Sequence, residues 1–276
     1  MERTATKNRS SKTGQLILSQ GFRIGRLKIR YYGVTMVVAI ALGYFIGWTR
    51  AKKQGWSRTF YDDLCFWLVI FGFLGARIYY VLFYPQFYRG NFSEVFKIWH
   101  GGLAIYGAVI AGALTLYVLA RRYKKSFFEL TDVVVYALPL AQAIGRFGNY
   151  FNYEAFGKPT NLPWKMFVPL QFRPPGYENF SYFHPTFAYE AIWNVLVFVA
   201  LYFIARKVDV SGSKRVGLLT GSYFVLYSIG RFFIEGIRLD SAFFGPFRGD
   251  QLTAVLLIIL GLVIIFKAER NVTPTQ

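Results

Sequence analysis

Apolar runs long enough to cross a bilayer recur along almost the whole chain, separated by short polar segments. A bilayer core takes about 20 helical residues. Seven stretches meet that demand: roughly 31–49, 64–84, 102–120, 130–150, 187–205, 217–236 and 250–267. The pattern predicts an all-α polytopic membrane protein of about seven transmembrane helices, with residues 16–270 forming one membrane domain. Residues 1–15 read as a basic disordered tail and 271–276 as a short C-terminal tail. From 16 to 30 the pattern partly alternates, which suits a segment lying on the membrane surface with its basic side toward phosphates. The stretch 151–186 breaks the apolar rhythm, and its Pro, Gly and aromatic residues read as turns around Asn161-Leu162-Pro163-Trp164 and Arg173-Pro174-Pro175-Gly176. Loops beyond about a dozen residues tend to be functional or disordered. The aromatic density favours function, so this segment is expected to form a small external head or lid between helices four and five. No internal repeat is visible, which weakens a transporter reading built on repeated halves.

Composition agrees: 54% of residues are hydrophobic and only 17% charged. A net charge of +18 in a soluble domain would point to nucleic acid. Here the basic residues sit between apolar runs, where they set topology and meet anionic lipid, so no nucleic-acid partner is expected. Arg50, Lys52, Lys53 and Arg58 separate the first two spans, and Arg121, Arg122, Lys124 and Lys125 the third and fourth. Arg206, Lys207, Lys214 and Arg215 separate the fifth and sixth, and Lys267 and Arg270 follow the seventh. The positive-inside rule places these four segments in the cytoplasm, with 85–101, 151–186 and 237–249 outside. The N-terminal 30 residues, with eight Lys/Arg and one acid, vote the other way. Three internal loops and a tail outvote one segment. The single cysteine, Cys65, lies inside an apolar run and reads as a small buried hydrophobe. His100 and His184 stand far apart without ligand spacing, so neither a metal nor a cofactor is expected.

The chemistry concentrates where charges interrupt apolar helices. Arg146, in Ile144-Gly145-Arg146-Phe147-Gly148-Asn149, follows the apolar run 133–143 and shares a helical face with Asn149 and Tyr153. A guanidinium at membrane depth needs a carboxylate, backbone carbonyls or a phosphate, unless it snorkels to the interface. The amides, flanking glycines and Glu154 argue against snorkelling. In span two, Arg77 follows Gly72 and Gly75; span three opens with Gly101 and Gly102, glycines that also serve close helix contact. At the start of span five, Thr186 suits an N-cap and Glu190 suits the helix dipole. Span six carries Tyr227, Arg231, Glu235 and Arg238 at intervals of four, four and three. Four arginines, 77, 146, 231 and 238, against Glu154, Glu190 and Glu235 leave surplus positive charge, which calls for a bound anion. In a bilayer that anion is a phospholipid phosphate, which arginine binds bidentately. The competing account is a set of structural ion pairs between helices.

These motifs resemble those of the prolipoprotein diacylglyceryl transferase family. The resemblance rests on Gly145-Arg146-Phe147-Gly148-Asn149-Tyr150-Phe151-Asn152-Tyr153-Glu154 with Gly157, on Ile29-Arg30-Tyr31-Tyr32-Gly33, on Gly75-Ala76-Arg77 and on Trp99-His100-Gly101-Gly102. His184-Pro185-Thr186 through Glu190, and Arg231-Phe232-Phe233-Ile234-Glu235 with Arg238, complete it across about 16–267. The resemblance implies a multi-pass enzyme of the bacterial plasma (inner) membrane whose cavity opens to the outer leaflet. It implies phosphatidylglycerol and the lipobox cysteine of a prolipoprotein signal peptide as substrates, a thioether product and glycerol phosphate as leaving group. Carried over, Arg146 and Arg231 hold the phosphate and stabilise charge on the leaving group. Asn149, Glu154 and Gly157 shape that site, with Tyr32, Arg77, Tyr227, Glu235 and Arg238 around it. Many relatives have histidine where this chain has Tyr106 before Gly107. A phenol with an ordinary pKa of about 10 is a poor base. Two roles stay open for Tyr106: a base whose pKa neighbouring arginines lower, or a group that only positions the substrate. A lipid or anion transporter is the rival reading, and it would leave a lipobox peptide unmodified.

Overall fold

The computed structural model describes residues 20–25, 27–98, 101–241 and 243–274. The basic tail at 1–15 and His100 lie outside the described residues. Seven long helices follow the apolar runs: α1 (Tyr31–Lys53), α2 (Arg58–Phe83), α3 (Ile105–Arg122), α4 (Phe127–Asn152), α5 (Thr186–Val210), α6 (Leu218–Glu235) and α7 (Gly249–Arg270). Six are long and apolar enough to cross a membrane, and α6 is the exception. Its 18 residues include Thr220, Ser222, Tyr223, Tyr227, Ser228, Arg231 and Glu235. It keeps most of these buried against α4, α5 and α7, which is how polar groups are tolerated at membrane depth. The chain is thus an all-α, multi-pass membrane protein.

Borders moved where polar residues hid a helical turn. The start of α2 lies at Arg58 rather than 64, because the Ser57 hydroxyl accepts from the Phe60 N–H at 3.3 Å and caps it. Asp62 and Asp63, which lower the hydropathy there, are occupied by Arg58 at 3.1 Å and by the Tyr123 hydroxyl at 2.8 Å. The alternating stretch before span one is a hairpin, β1 (Gly21–Ile24) against β2 (Leu27–Arg30), turning at Gly25 with φ +59°. β2 runs directly into α1.

α4 is the centre of the bundle, touching α1, α3, α5 and α6. At one end lie the basic segments. Arg50 of α1 meets Asp209 of α5 at 2.5 Å, Lys125 and Lys214 share Glu129, and Arg215 takes Glu269 at 2.6 Å. Asp132 of α4 reaches across to cap α6, accepting from the N–H groups of Gly217 and Thr220 at 2.7 and 2.8 Å. Helices α1, α3, α5 and α7 all end here in Lys or Arg, where cations suit the negative pole of the helix dipole.

The segment 153–185 is ordered around a small core of its own. Strands β3 (Met166–Phe167) and β4 (Tyr182–Phe183) pair antiparallel, and Val168 and Phe183 are fully buried. Arg173 ties the loop together through the Val168 and Glu178 carbonyls at 2.9 and 2.6 Å.

Candidate active site

At the other end of the bundle, α4 finishes opposite the start of α5, the end of α6 and the start of α7. Each contributes charge to one network. Glu190 of α5, 3% exposed, is its hub. Its Oε2 takes Arg146 Nη2 at 2.6 Å, and its Oε1 takes Arg231 Nη1 at 2.9 Å and Arg238 Nη1 at 2.6 Å. Arg231 Nη2 also meets Glu235 at 2.8 Å and Asp250 of α7. Arg238 grips Asp240 bidentately at 2.9 and 2.6 Å. The Tyr106 hydroxyl donates to the second oxygen of Asp250 at 3.1 Å, tying α3 to α7. Nearby, Arg248 donates to the carbonyls of Glu235 and Arg238 at 2.5 and 2.8 Å.

The surplus of positive charge expected from sequence is not there. Three arginines, 146, 231 and 238, are ion-paired to four carboxylates, Glu190, Glu235, Asp240 and Asp250. The inventory had omitted both aspartates. It had also included Arg77, which does not join the network. Arg77 donates to the carbonyls of Glu94, Val95, Gly101 and Gly102 at 2.5, 2.9, 2.6 and 2.9 Å and pins the loop before α3. Gly102, at φ +79°, is required there because a Cβ would meet Arg77 Nη1 at 2.5 Å. Nor does Thr186 cap α5. It is the first helical residue, and its hydroxyl donates to the Ala155 carbonyl at 2.6 Å. Glu190 is likewise no helix-end charge.

Arg146 differs from the other arginines in keeping most of its donors. Among the described residues Glu190 is its one ion-pair partner, and the Arg146 side chain is 23% exposed. One turn on, Asn149 and Asn152 donate to Glu154 at 3.4 Å each. Glu154 sits between Tyr153 and Ala155, two non-glycine residues at φ +56° and +52°, a conformation that costs energy and tends to persist where function needs it. Burial raises the Glu154 carboxyl above the ordinary range, opposed by the two amides. Gly157 brings this turn onto the segment after α6, forming an isolated bridge with Arg238 and donating to the His184 carbonyl at 2.8 Å. Tyr32 packs on Gly148 of α4, and Tyr227 stacks on Tyr223 at 5.4 Å. Beside the network, a cavity of about 730 Å³ is lined by Tyr150, Tyr153, Trp164, Lys165, Phe187 and Tyr189 among others. None of the three arginines lines it. Sequence reasoning counted Glu190 among the acids but read it as a helix-start charge rather than the hub, and it missed Asp240, Asp250 and Arg248. For the two aspartates the sequence offers only an acid two residues beyond Arg238 and another opening span seven, positions that a loop or a helix start explains equally well.

A family model described as prolipoprotein diacylglyceryl transferase matches residues 20–267. The phosphatidylglycerol--prolipoprotein diacylglyceryl transferase of Thermotoga maritima is 48% identical over 252 residues, covering 90% of this chain and 84% of the relative. The protein of the same name from Synechococcus elongatus is 43% identical over 252 residues, covering 90% and 87%. With its motifs in order and the match spanning the bundle from hairpin to α7, this chain belongs to the prolipoprotein diacylglyceryl transferase family.

Proposed function

We propose that this chain transfers the diacylglyceryl group of phosphatidylglycerol to the lipobox cysteine sulfur of a prolipoprotein signal peptide. The bond between the terminal glyceryl carbon and the phosphate oxygen breaks, and a carbon–sulfur bond forms. The electron pair stays with glycerol phosphate, and the thiol proton leaves. The observation that carries this reading is Arg146, a guanidinium in the bundle with one carboxylate partner and free donors among the described residues. Those donors suit two phosphate oxygens and gain strength as charge develops on the leaving group. Family membership supports the same reading.

In this scheme Arg231 completes the phosphate grip, held in orientation by Glu190 and Glu235. Arg238 braces Glu190, and Gly157 holds the turn that carries Arg238 close. Glu154, with Asn149, faces the glycerol hydroxyls. Tyr32 and Tyr227 wall the site. Tyr106 positions substrate rather than taking the proton, since its hydroxyl already donates to Asp250 and loses that bond if ionised. The sulfur comes from the substrate. Cys65 lies on α2 among the residues packed at the basic end.

The enzyme works in a bacterial plasma membrane, with the basic end in the cytoplasm and the network toward the outer leaflet. Incubating the purified protein with phosphatidylglycerol and a lipobox peptide should raise the peptide mass by one diacylglyceryl group. An unmodified peptide in the presence of folded protein overturns the assignment and favours lipid transport.

A further inference from the structure

Arg231 has both hydrogens of Nη2 engaged, and either two-pronged edge of its guanidinium, Nε with Nη2 or Nη1 with Nη2, needs that nitrogen. Nη1 goes to Glu190, and Nη2 is shared by Glu235 and Asp250. A phosphate gripped in the fork-to-fork manner needs two adjacent N–H groups on the open side of the guanidinium. One carboxylate must therefore yield before Arg231 can bind a phosphodiester. Burial selects which. Glu190 and Glu235 have side chains 3% and 1% exposed and are locked between helices, whereas Asp250 is 35% exposed. Removing a buried carboxylate from its arginines leaves charges stranded, while a half-open one can turn to water or to a neighbouring hydroxyl.

Asp250 has such a neighbour. The Tyr106 hydroxyl holds its other oxygen at 3.1 Å, and that ring is itself about half exposed. Asp250 also stands at the first turn of α7, where the helix dipole favours an anion regardless of Arg231. It can therefore leave the guanidinium without becoming unpaired.

We propose that Asp250 is an exchangeable occupant of the phosphate position on Arg231: an internal anion that the lipid phosphate displaces, with Tyr106 and the α7 N-terminus receiving the released carboxylate. The inference rests on the transferase reading above. It makes Asp250 a residue that sets phospholipid affinity through Arg231, and it gives Tyr106 a use other than proton acceptance. The affinity for phosphatidylglycerol is therefore lower than the arginines alone would give.

The experiment is a steady-state measurement of transfer to a lipobox peptide with phosphatidylglycerol varied in detergent micelles, for wild type, Asp250→Asn and Asp250→Glu. The asparagine has the aspartate's shape but no charge. Its KM for phosphatidylglycerol should fall about fivefold, the factor matching the upper end of partly exposed ion pairs. Asp250→Glu, which keeps the competing charge, should stay close to wild type. Inorganic phosphate, used as a competing anion, should inhibit Asp250→Asn at lower concentrations than wild type. An unchanged or raised KM in Asp250→Asn overturns the proposal, because a residue needed only to orient Arg231 would weaken lipid binding when neutralised. If Asp250→Asn does not fold, a wild-type KM in Asp250→Ala overturns it equally. Absence of any transfer by folded wild type is a separate result, and it strikes the transferase reading instead.

Discussion

A carboxylate that is 3% exposed and shared by three guanidinium groups holds charge from three helices and a turn at one point. Neutralising it leaves Arg146 without its carboxylate and takes one from Arg231 and Arg238, which keep Glu235, Asp250 and Asp240. Breaking buried pairs of this kind costs about 3–5 kcal/mol. Glu190→Gln should therefore lower the thermal unfolding midpoint of the detergent-solubilised protein markedly, as followed by circular dichroism. A midpoint equal to wild type would show that the network is not holding the helices. Glu154 makes a different prediction. Burial raises its carboxyl in the folded protein, so the folded state binds that proton more tightly than the unfolded chain does. Its contribution to stability is fullest in acid and declines as pH rises through the elevated value. The melting advantage of Glu154→Gln over wild type should thus be larger at neutral pH than in mild acid. Arg146, Arg231 and Glu235 were legible in the sequence because charges on apolar helices are costly. Asp240 and Asp250 were not, since an acid in a loop or a first helical turn has an ordinary explanation and only the fold brings it to an arginine.

At the scale of elements, glycines decide how closely helices and strands approach. Gly75 of α2 and Gly107 of α3 face each other so nearly that a Cβ on Gly107 would strike the Gly75 carbonyl and Tyr79. The crossing depends on small residues, as is common between membrane helices. Gly107→Leu should separate α2 from α3, displace Tyr106 from Asp250 and cost about 1–3 kcal/mol through overpacking. Gly157 is as tightly placed: a Cβ would lie 2.7 Å from the Ile237 carbonyl and 2.9 Å from Thr186 Cγ2. Gly157→Val should push the turn that carries Arg238 away and reduce transfer, measured by peptide mass, more than it reduces the melting temperature. All seven helices announced themselves as apolar runs, although α6, with its polar stripe, is not apolar enough to cross a membrane by length and composition alone. The hairpin β1–β2 escaped because four-residue strands with partial alternation look like any amphipathic surface segment. The order within 153–185 escaped because its core is set by contacts between distant residues, such as Met166 with Phe183.

For the whole molecule, the structure gathers the basic segments at one end and the arginine–carboxylate network at the other. The transferase reading then requires the network to face the outer leaflet, where a translocated signal peptide presents its thiol. In a Cys65→Ser background, Asn179→Cys in the head should be labelled by a membrane-impermeant maleimide in intact cells. Lys207→Cys at the basic end should be labelled only after the membrane is opened, and the reverse pattern would invert the orientation. Charge balance changes how the site must work: on the exchange proposed above, Arg231 takes the lipid phosphate only in place of Asp250, whereas Arg146 displaces no carboxylate. Arg146, the arginine with donors to spare, is central to that account. The most direct test is the rate of diacylglyceryl transfer from phosphatidylglycerol to a lipobox peptide by purified, folded Arg146→Ala. The account predicts a loss of about a hundredfold or more, the scale of removing one preorganised donor group from a developing charge. Transfer at the wild-type rate would contradict it.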